Sequence, residues 1–199
     1  MPKVVDRAER RRAIAEALLR LVARDGIDAV SVRTVAAEAG ISAGAVQKYF
    51  ATREELLGFA FELTGEYLLE RWATVATTGP LIDVLWRYVR AALPVDEQSR
   101  AEFVVILAFT AQAATRPDWA AKLRADYDWA HRMTVEFIEH AQRTGEIRDD
   151  LPAVQLADLV QGLTDGFSDR MLHTRPRSAA NRRLLASLER GLRDLLAPR

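Results

Sequence analysis

The 199-residue chain has no cysteine, so it can build no disulfide framework, no thiolate nucleophile and no cysteine-based zinc site. It also lacks an excess of charge: 28 Lys and Arg balance 28 Asp and Glu, and the total says nothing about nucleic acid. Long apolar runs are missing. The longest, Phe103 to Ala114, is too short to span a bilayer and contains Thr110 and Gln112. The opening MPKVVDRAERRRAIAEALLRLVARDG carries basic residues but no apolar signal core, so the expectation is a cytoplasmic protein with no membrane association. Histidine is scarce, and His131, His140 and His173 form no H-x-x-x-H or H-E-x-x-H pair. There is neither a G-x-S-x-G elbow nor a phosphate-binding glycine loop. No catalytic residues, metal or cofactor are therefore expected. Asp126, Asp128, Glu136 and Glu139 have the spacing of a solvated helix face, while Asp165 and Asp169 fit polar contacts, or pairing with Arg170, better than a buried acid pair.

Helical periodicity is present throughout, with no period-2 strand pattern, internal repeat or low-complexity tract. The stretch Ser31 to Leu57, SVRTVAAEAGISAGAVQKYFATREELL, organises the rest. Ser31 suits an N-cap, and Val32, Val35, Ala36 and Ala39 form an apolar stripe. Gly40 stands where a helix ends in a left-handed residue, Ile41 plugs the turn and Ser42 suits the next cap. A helix from Ala43 to Phe50 would bury Val46 and Phe50 and leave Ala43, Gly44, Gln47 and Lys48 on its far face. Thr52 and Glu55 fit a T-x-x-E capping box. Two short helices joined at a glycine fit a helix-turn-helix, whose second helix enters the DNA major groove, and fit an ordinary helical hairpin equally well. Charge distribution favours the former modestly: residues 1–53 hold ten basic and six acidic groups, and the remainder is correspondingly acidic.

The run GISAGAVQKYFATREELL resembles the signature of the TetR family of one-component transcriptional regulators, and the upstream DGIDAVSVRTVAAEAG resembles that family's segment between its first two helices. The likeness covers roughly residues 8 to 60. It departs from the pattern at Gln47, often aromatic in the family, and at Ala45, commonly Thr or Ser; both bear on operator sequence rather than fold. The resemblance implies a double-stranded DNA partner with a palindromic operator, a small-molecule effector and a homodimer. It further implies DNA contacts at Arg33, Thr34, Ser42, Ala43, Gly44, Gln47, Lys48, Tyr49 and Arg53. Arg10, Arg11 and Arg12, at the start of the first helix, fit either phosphate contacts or a solvated basic stretch.

The fold class expected is all-α, with a helix-turn-helix domain over residues 1–53 and a helical ligand-binding and dimerisation domain over 54–199. Helices are expected from Ala8 to Arg24, from Thr52 to about Thr74, and from Leu81 to near Pro94. Others should follow over Ser99 to Thr115, Pro117 to Thr144, Ala153 to Leu172 and Ser178 to Leu196. The Ser99–Thr115 helix is apolar nearly all round and is expected at the centre. Phe103, Thr110, Trp129, Met133, Phe137 and Phe167 would supply a mostly hydrophobic effector pocket with a few polar handles; such residues at helical spacing equally fill a core. Leu156, Leu163, Gly166, Leu184, Leu188 and Leu192, on the last two helices, suit either core closure or a two-fold dimer seam, and the resemblance favours the seam. The function this supports is a ligand-released repressor. Alternatives are an activator or protein-responsive regulator, and an all-α enzyme or structural module with an incidental helix-turn-helix.

Overall fold

A computed structural model describes residues 7–198, and within them every regular element is helical. Helix α1 spans Arg7–Asp25, and a short 3-10 turn, Ile27–Ala29, leads to α2 (Val32–Glu38), α3 (Ala43–Gln47) and α4 (Arg53–Ala73). The body continues with α5 (Leu81–Ala92), α6 (Glu97–Ala113), α7 (Pro117–Arg143), α8 (Ala153–Leu172) and α9 (Ala179–Leu196). Local chemistry sets most of these limits. Pro117 opens α7 at a position where its missing N–H costs nothing. Asp96 caps α6 by accepting from the Ser99 amide at 2.8 Å, and the Ser99 hydroxyl accepts from the Asp96 amide in return. At the end of α7 the Glu146 amide reaches the Ala141 carbonyl over Gly145, whose φ of 73° a glycine adopts without strain. The Glu146 carboxylate then accepts from the Leu81 amide at 2.7 Å, joining the α7 exit to the start of α5.

Two apolar cores hold the helices. The first runs from Ile14, Leu18 and Val22 of α1 through Val35, Val46 and Phe50 to Leu57 and Phe61 of α4, and on to Val105 and Phe109 of α6. The second joins Leu85 and Val89 of α5, Ile138 of α7, Leu156 and Val160 of α8, and Leu184, Leu188 and Leu192 of α9. The first core is shared: α6 packs on both α1 and α4, so the helix-turn-helix region and the body are not separated by solvent. Stacked rings reinforce the join, with Phe61 and Phe109 centroids 4.0 Å apart and Phe109 and Trp119 4.3 Å apart, each pair nearly parallel.

Helix α6 is less uniformly apolar in place than its sequence implies. Leu107 is exposed, whereas Glu102 is only 2% exposed. The Arg71 guanidinium of α4 grips that carboxylate in a fork, at 3.1 and 2.8 Å, while its Nε donates to the Ala91 carbonyl. Gln98 gives Glu102 a further donor. The buried charge is thus paired and hydrogen-bonded, as burial demands. Replacing Arg71 alone by Leu strands Glu102 and should cost about 3 kcal/mol in denaturant melts. An Arg71→Met, Glu102→Leu double replacement should recover most of that loss, because the desolvated charge disappears with its partner.

Candidate functional site

Two places gather the residues singled out from sequence. In the first, α2 and α3 are shaped by their caps. Ser31 Oγ accepts from the Thr34 amide at 3.1 Å, and Thr34 Oγ1 accepts from the Ser31 amide at 2.9 Å. Past Ala39, the Gly40 amide bonds Ala37 O and the Ile41 amide bonds Ala36 O, the pattern that a left-handed Gly40 (φ 67°) permits. Ser42 Oγ accepts from the Ala45 amide and starts α3. Val46 and Phe50 are fully buried beneath. Arg33, Ser42, Gly44, Gln47 and Lys48 are exposed on the outer side, with Ala43 and Tyr49 half-buried. The helix α3 closes at Gln47, three residues short of the sequence expectation: Lys48 is its C-cap and Tyr49 turns back into the core edge.

Several residues turn inward instead. The Arg53 side chain donates from Nε to Val30 O at 2.8 Å and from Nη2 to Ile27 O at 3.3 Å, tying α4 to the 3-10 turn. Thr34, although exposed, commits its hydroxyl proton to Ala29 O at 2.6 Å. Thr52 accepts from the Glu55 amide as expected, but the Glu55 carboxylate reaches past Thr52 to the Ala51 amide at 2.8 Å. Of the N-terminal arginines, Arg11 lies over the Phe50 and Phe59 rings, 4.7 and 4.5 Å from their centroids. Arg12 pairs with Glu16, Glu66 and Glu70. These two arginines link α1 to α4 and are not a solvated basic stretch.

The second place is a cavity of about 540 Å³ between α4, α5, α7 and α8. Trp129, Met133 and Phe137 line it, as expected, and Thr134, Gln161 and Thr164 supply polar handles. Phe103 and Phe167 do not reach it: Phe167 packs on the second core with Arg170 over its ring. Thr110 also lies outside the wall. Its Oγ1 is fully buried and approaches the Tyr127 hydroxyl without the geometry of a full hydrogen bond. Sequence periodicity missed Trp72 of α4 and Tyr88 of α5, which lie on other helices and become neighbours only on folding. The Trp72 and Trp129 rings are 6.1 Å apart and 26° from parallel, and Tyr88 meets Trp72 edge-on at 6.0 Å. Asp165 and Glu136 also line the cavity. Asp165 is exposed at the cavity rim, yet the apolar wall on its inner side disfavours its charge and raises its carboxyl from the ordinary value; burial followed by the nearby Asp165 charge raises the Tyr127 phenol. Asp165 and Asp169 are both exposed and form no buried acid pair, and Glu136 is exposed as expected for a solvated face while bordering the cavity mouth.

Most of the leucines expected at a dimer seam are spent within one chain. Leu156 and Leu188 are fully buried, and Leu184 and Leu192 nearly so, which leaves them no surface for a partner. Leu163 is half-buried and Gly166 exposed; the outward side of α8 also carries Leu159, at 46% exposure, and Gly162.

Residues 14–58 match the family model for bacterial regulatory proteins of the tetR family, and residues 82–197 match that for the C-terminal part of BetI-type transcriptional repressors. The chain belongs to the TetR family. It is 32% identical over 165 residues to the HTH-type transcriptional regulator PksA of Bacillus subtilis, covering 82% of this chain and 80% of that one. To the HTH-type transcriptional repressor Rv1474c of Mycobacterium tuberculosis it is 30% identical, covering 86% and 88%. Among solved structures, a transcriptional regulator from Rhodococcus sp. Rha1 aligns with a TM-score of 0.79 at 27% identity, over 93% of this chain and 95% of that one. A putative regulator from Saccharomonospora viridis, solved with choline, aligns with a TM-score of 0.85 at 24% identity, over 96% and 100%, and shares the fold. The protein is therefore a TetR-family DNA-binding transcriptional regulator. No helix among the described residues is long and apolar enough to cross a membrane.

The arrangement yields two expectations for stability. Removing the Arg53 side chain leaves the Val30 and Ile27 carbonyls without their charged donor, so Arg53→Ala should cost about 1.5–3 kcal/mol in thermal or urea unfolding. For Asp165 the sign is reversed from that of a salt-bridged carboxylate. Its folded pKa lies above its unfolded one, so ionisation opposes folding once pH exceeds the unfolded value near 3.9. Asp165→Asn should raise the Tm at pH 7, and the gain should vanish below about pH 4 in a melting series across pH.

Proposed function

We propose that this regulator binds a two-fold symmetric operator as a homodimer, represses transcription there, and lets go when a mostly hydrophobic small molecule occupies the cavity of α4, α5, α7 and α8. The observation that carries this reading is the continuity of α4. Near its start Arg53 holds the 3-10 turn and Leu57 shares a core with Val35 of α2 and Val46 of α3; its later turns bring Leu68 and Trp72 to the cavity wall. A ligand that shifts Trp72 displaces the same rigid element that carries the DNA-reading helix. Two spacings of the paired heads then differ in ligand affinity, and the ligand selects the one that misses the half-sites.

On the head, Gln47 and Lys48 meet the groove, with Arg33, Ser42, Ala43, Gly44 and Tyr49 along the phosphates on either side. The outward side of α8, with Leu159, Gly162 and Gly166, pairs with its equivalent in the second subunit. Reading DNA places the protein in the cytoplasm, and the cavity serves as a sensor rather than a centre of catalysis. DNA fragments selected from a random pool by the wild-type protein provide the test. Lys48→Ala should weaken binding to all fragments and reduce the salt slope by about one ion per half-site. Gln47→Ala should relax preference at one base position per half-site and leave the slope unchanged. Unaltered binding by both variants would remove α3 from the DNA interface.

A further inference from the structure

One stretch of the body departs from the chain's balance of charge. Between Asp169 and Glu189 the sequence holds Arg170, His173, Arg175, Arg177, Arg182 and Arg183 and no acidic residue. All six are exposed, and among the described residues no carboxylate lies within ion-pair distance of any of them. Solvated faces elsewhere carry both signs: α7 sets Arg124 and Arg132 beside Asp126, Asp128 and Glu136. The turn from α8 to α9 carries one sign alone. Like charges gathered in this way repel one another, and a bound polyanion relieves that cost. The turn is also held in one shape. The buried Asn181 side chain donates to Thr174 Oγ1 at 3.1 Å, the Ser178 amide reaches Arg175 O at 3.1 Å, and the Arg182 guanidinium donates to the Arg177 carbonyl. Arg177 keeps φ at 58°, a left-handed conformation that side chains seldom adopt and that its neighbours enforce. A basic turn already fixed in shape loses little freedom when it binds.

Its place in the fold says which polyanion. Helix α7 starts at the head side of the body, where Trp119 stacks on Phe109 and Phe109 on Phe61. Helix α8 runs back antiparallel to it, with His131 of α7 on Asp158 at 3.0 Å and Tyr127 close to Asp165. The last carbonyls of α8 are then taken by Arg100 of α6, a helix that packs on α1, α4 and the 3-10 turn of the head. The α8–α9 turn is thus at the end of the body from which the head extends, and the α7–α8 turn is at the far end. Arg170 also continues the outward stripe of α8, one turn past Gly166 and in line with Leu159 and Gly162. In a symmetric pair two such turns flank the two-fold axis, which passes through the centre of the operator. We infer that the α8–α9 turn is a second DNA-facing surface, which engages backbone phosphates between the two half-sites without reading bases. The α2–α3 surface exposes two cations, Arg33 and Lys48, so the turn adds more unpaired positive charge than the reading surface itself holds. This assignment rests on the two-fold pairing through α8 proposed above, and its test separates the two.

A triple variant, Arg175→Gln, Arg177→Asn and Arg183→Gln, strips charge from the turn and leaves α3 and the cavity unaltered; Asn tolerates the left-handed φ at position 177. Binding of the full chain to an operator fragment selected by the wild type is measured from about 50 to 200 mM KCl. The variant should lose about two ions or more per dimer from the salt slope and bind about tenfold more weakly at the low-salt end. Its preference across a panel of mutated half-sites should be unchanged. A second fragment carries uncharged methylphosphonates in place of the phosphates between the half-sites. The wild type should bind it about tenfold less tightly than the natural fragment, whereas the variant should bind both within about threefold. Melting curves and sedimentation of the same samples establish that the variant is folded and dimeric. The inference is overturned if the variant keeps the wild-type slope, or if the methylphosphonates leave wild-type affinity unchanged. Polyglutamate that binds the wild type and not the variant, with the slope unmoved, assigns the turn to an acidic protein segment instead. A wild-type chain that sediments as a monomer on the operator overturns the two-fold pairing and the central placement with it; a dimer with an unmoved slope overturns the role of the turn alone.

Discussion

Three rings in nearly parallel register, Phe61, Phe109 and Trp119, carry α4 against α6 and α6 against α7. Each stacked pair adds about 0.5–1.5 kcal/mol beyond the area it buries, and flat contacts of this kind resist rotation of one helix against the next. Their position matters more than their sum. Phe61 lies two turns into α4, between the turn that Arg53 and Glu55 fasten to the helix-turn-helix and the turns where Arg71 and Trp72 face the body. With 21 residues at 1.5 Å each, α4 extends roughly 30 Å and has no proline within it to bend. A pivot near the middle of a stiff rod turns a displacement at one end into a displacement at the other.

Around that pivot, arginine holds helix ends. Arg100 of α6 donates to the Met171 and Leu172 carbonyls at 2.8 and 2.5 Å, satisfying acceptors at the negative end of α8. Arg148 is itself buried, pairs with Asp150 and reaches the last carbonyls of α9. These contacts fix α8 and α9 against the rest of the chain, as Arg53 and Arg71 fix the two ends of α4. The wall of the cavity is therefore built from rigid backs and adjustable fronts: Trp129 and Met133 are nearly half exposed, whereas Ile138, one turn beyond Thr134, is fully buried.

Much of this was legible in the sequence because it is local. Caps at Ser31, Ser42 and Thr52, the glycine stop at Gly40 and the proline start at Pro117 depend on neighbours a few residues away, and α8 begins and ends at the residues that periodicity indicates. What periodicity cannot supply is the direction a side chain takes once a distant helix arrives. Arg11 and Arg53 look like phosphate contacts until Phe50, Phe59, Val30 and Ile27 are placed beside them. Leu184, Leu188 and Leu192 look like a seam until α5 and α8 cover them. Glu102 reads as the polar start of an apolar helix, and only Arg71, 31 residues away, explains its burial. Three of six expected cavity residues line the wall because they share one face of α7; Trp72, Tyr88 and Asp165 required the tertiary arrangement.

The same rule changes the electrostatics of the head. Residues 1–53 hold ten basic groups, but Arg11, Arg12, Arg20, Arg24 and Arg53 are engaged within the chain: over rings, on carbonyls, or on the carboxylates of Glu16, Glu38, Glu66 and Glu70. Arg24 and then Arg20 hold the Glu38 carboxyl below the ordinary range, so that charge is neutralised across the pH range in which proteins work. On the surface formed by α2 and α3, the exposed cations are Arg33 and Lys48. A field this sparse provides only moderate non-specific attraction to a polyanion, since that attraction scales with the number of phosphates neutralised. In the homodimer proposed above, affinity would then come from placing two such surfaces at one fixed spacing. That dependence would make the head sensitive to a small movement of α4, and a denser basic surface would blunt it by holding DNA in either arrangement.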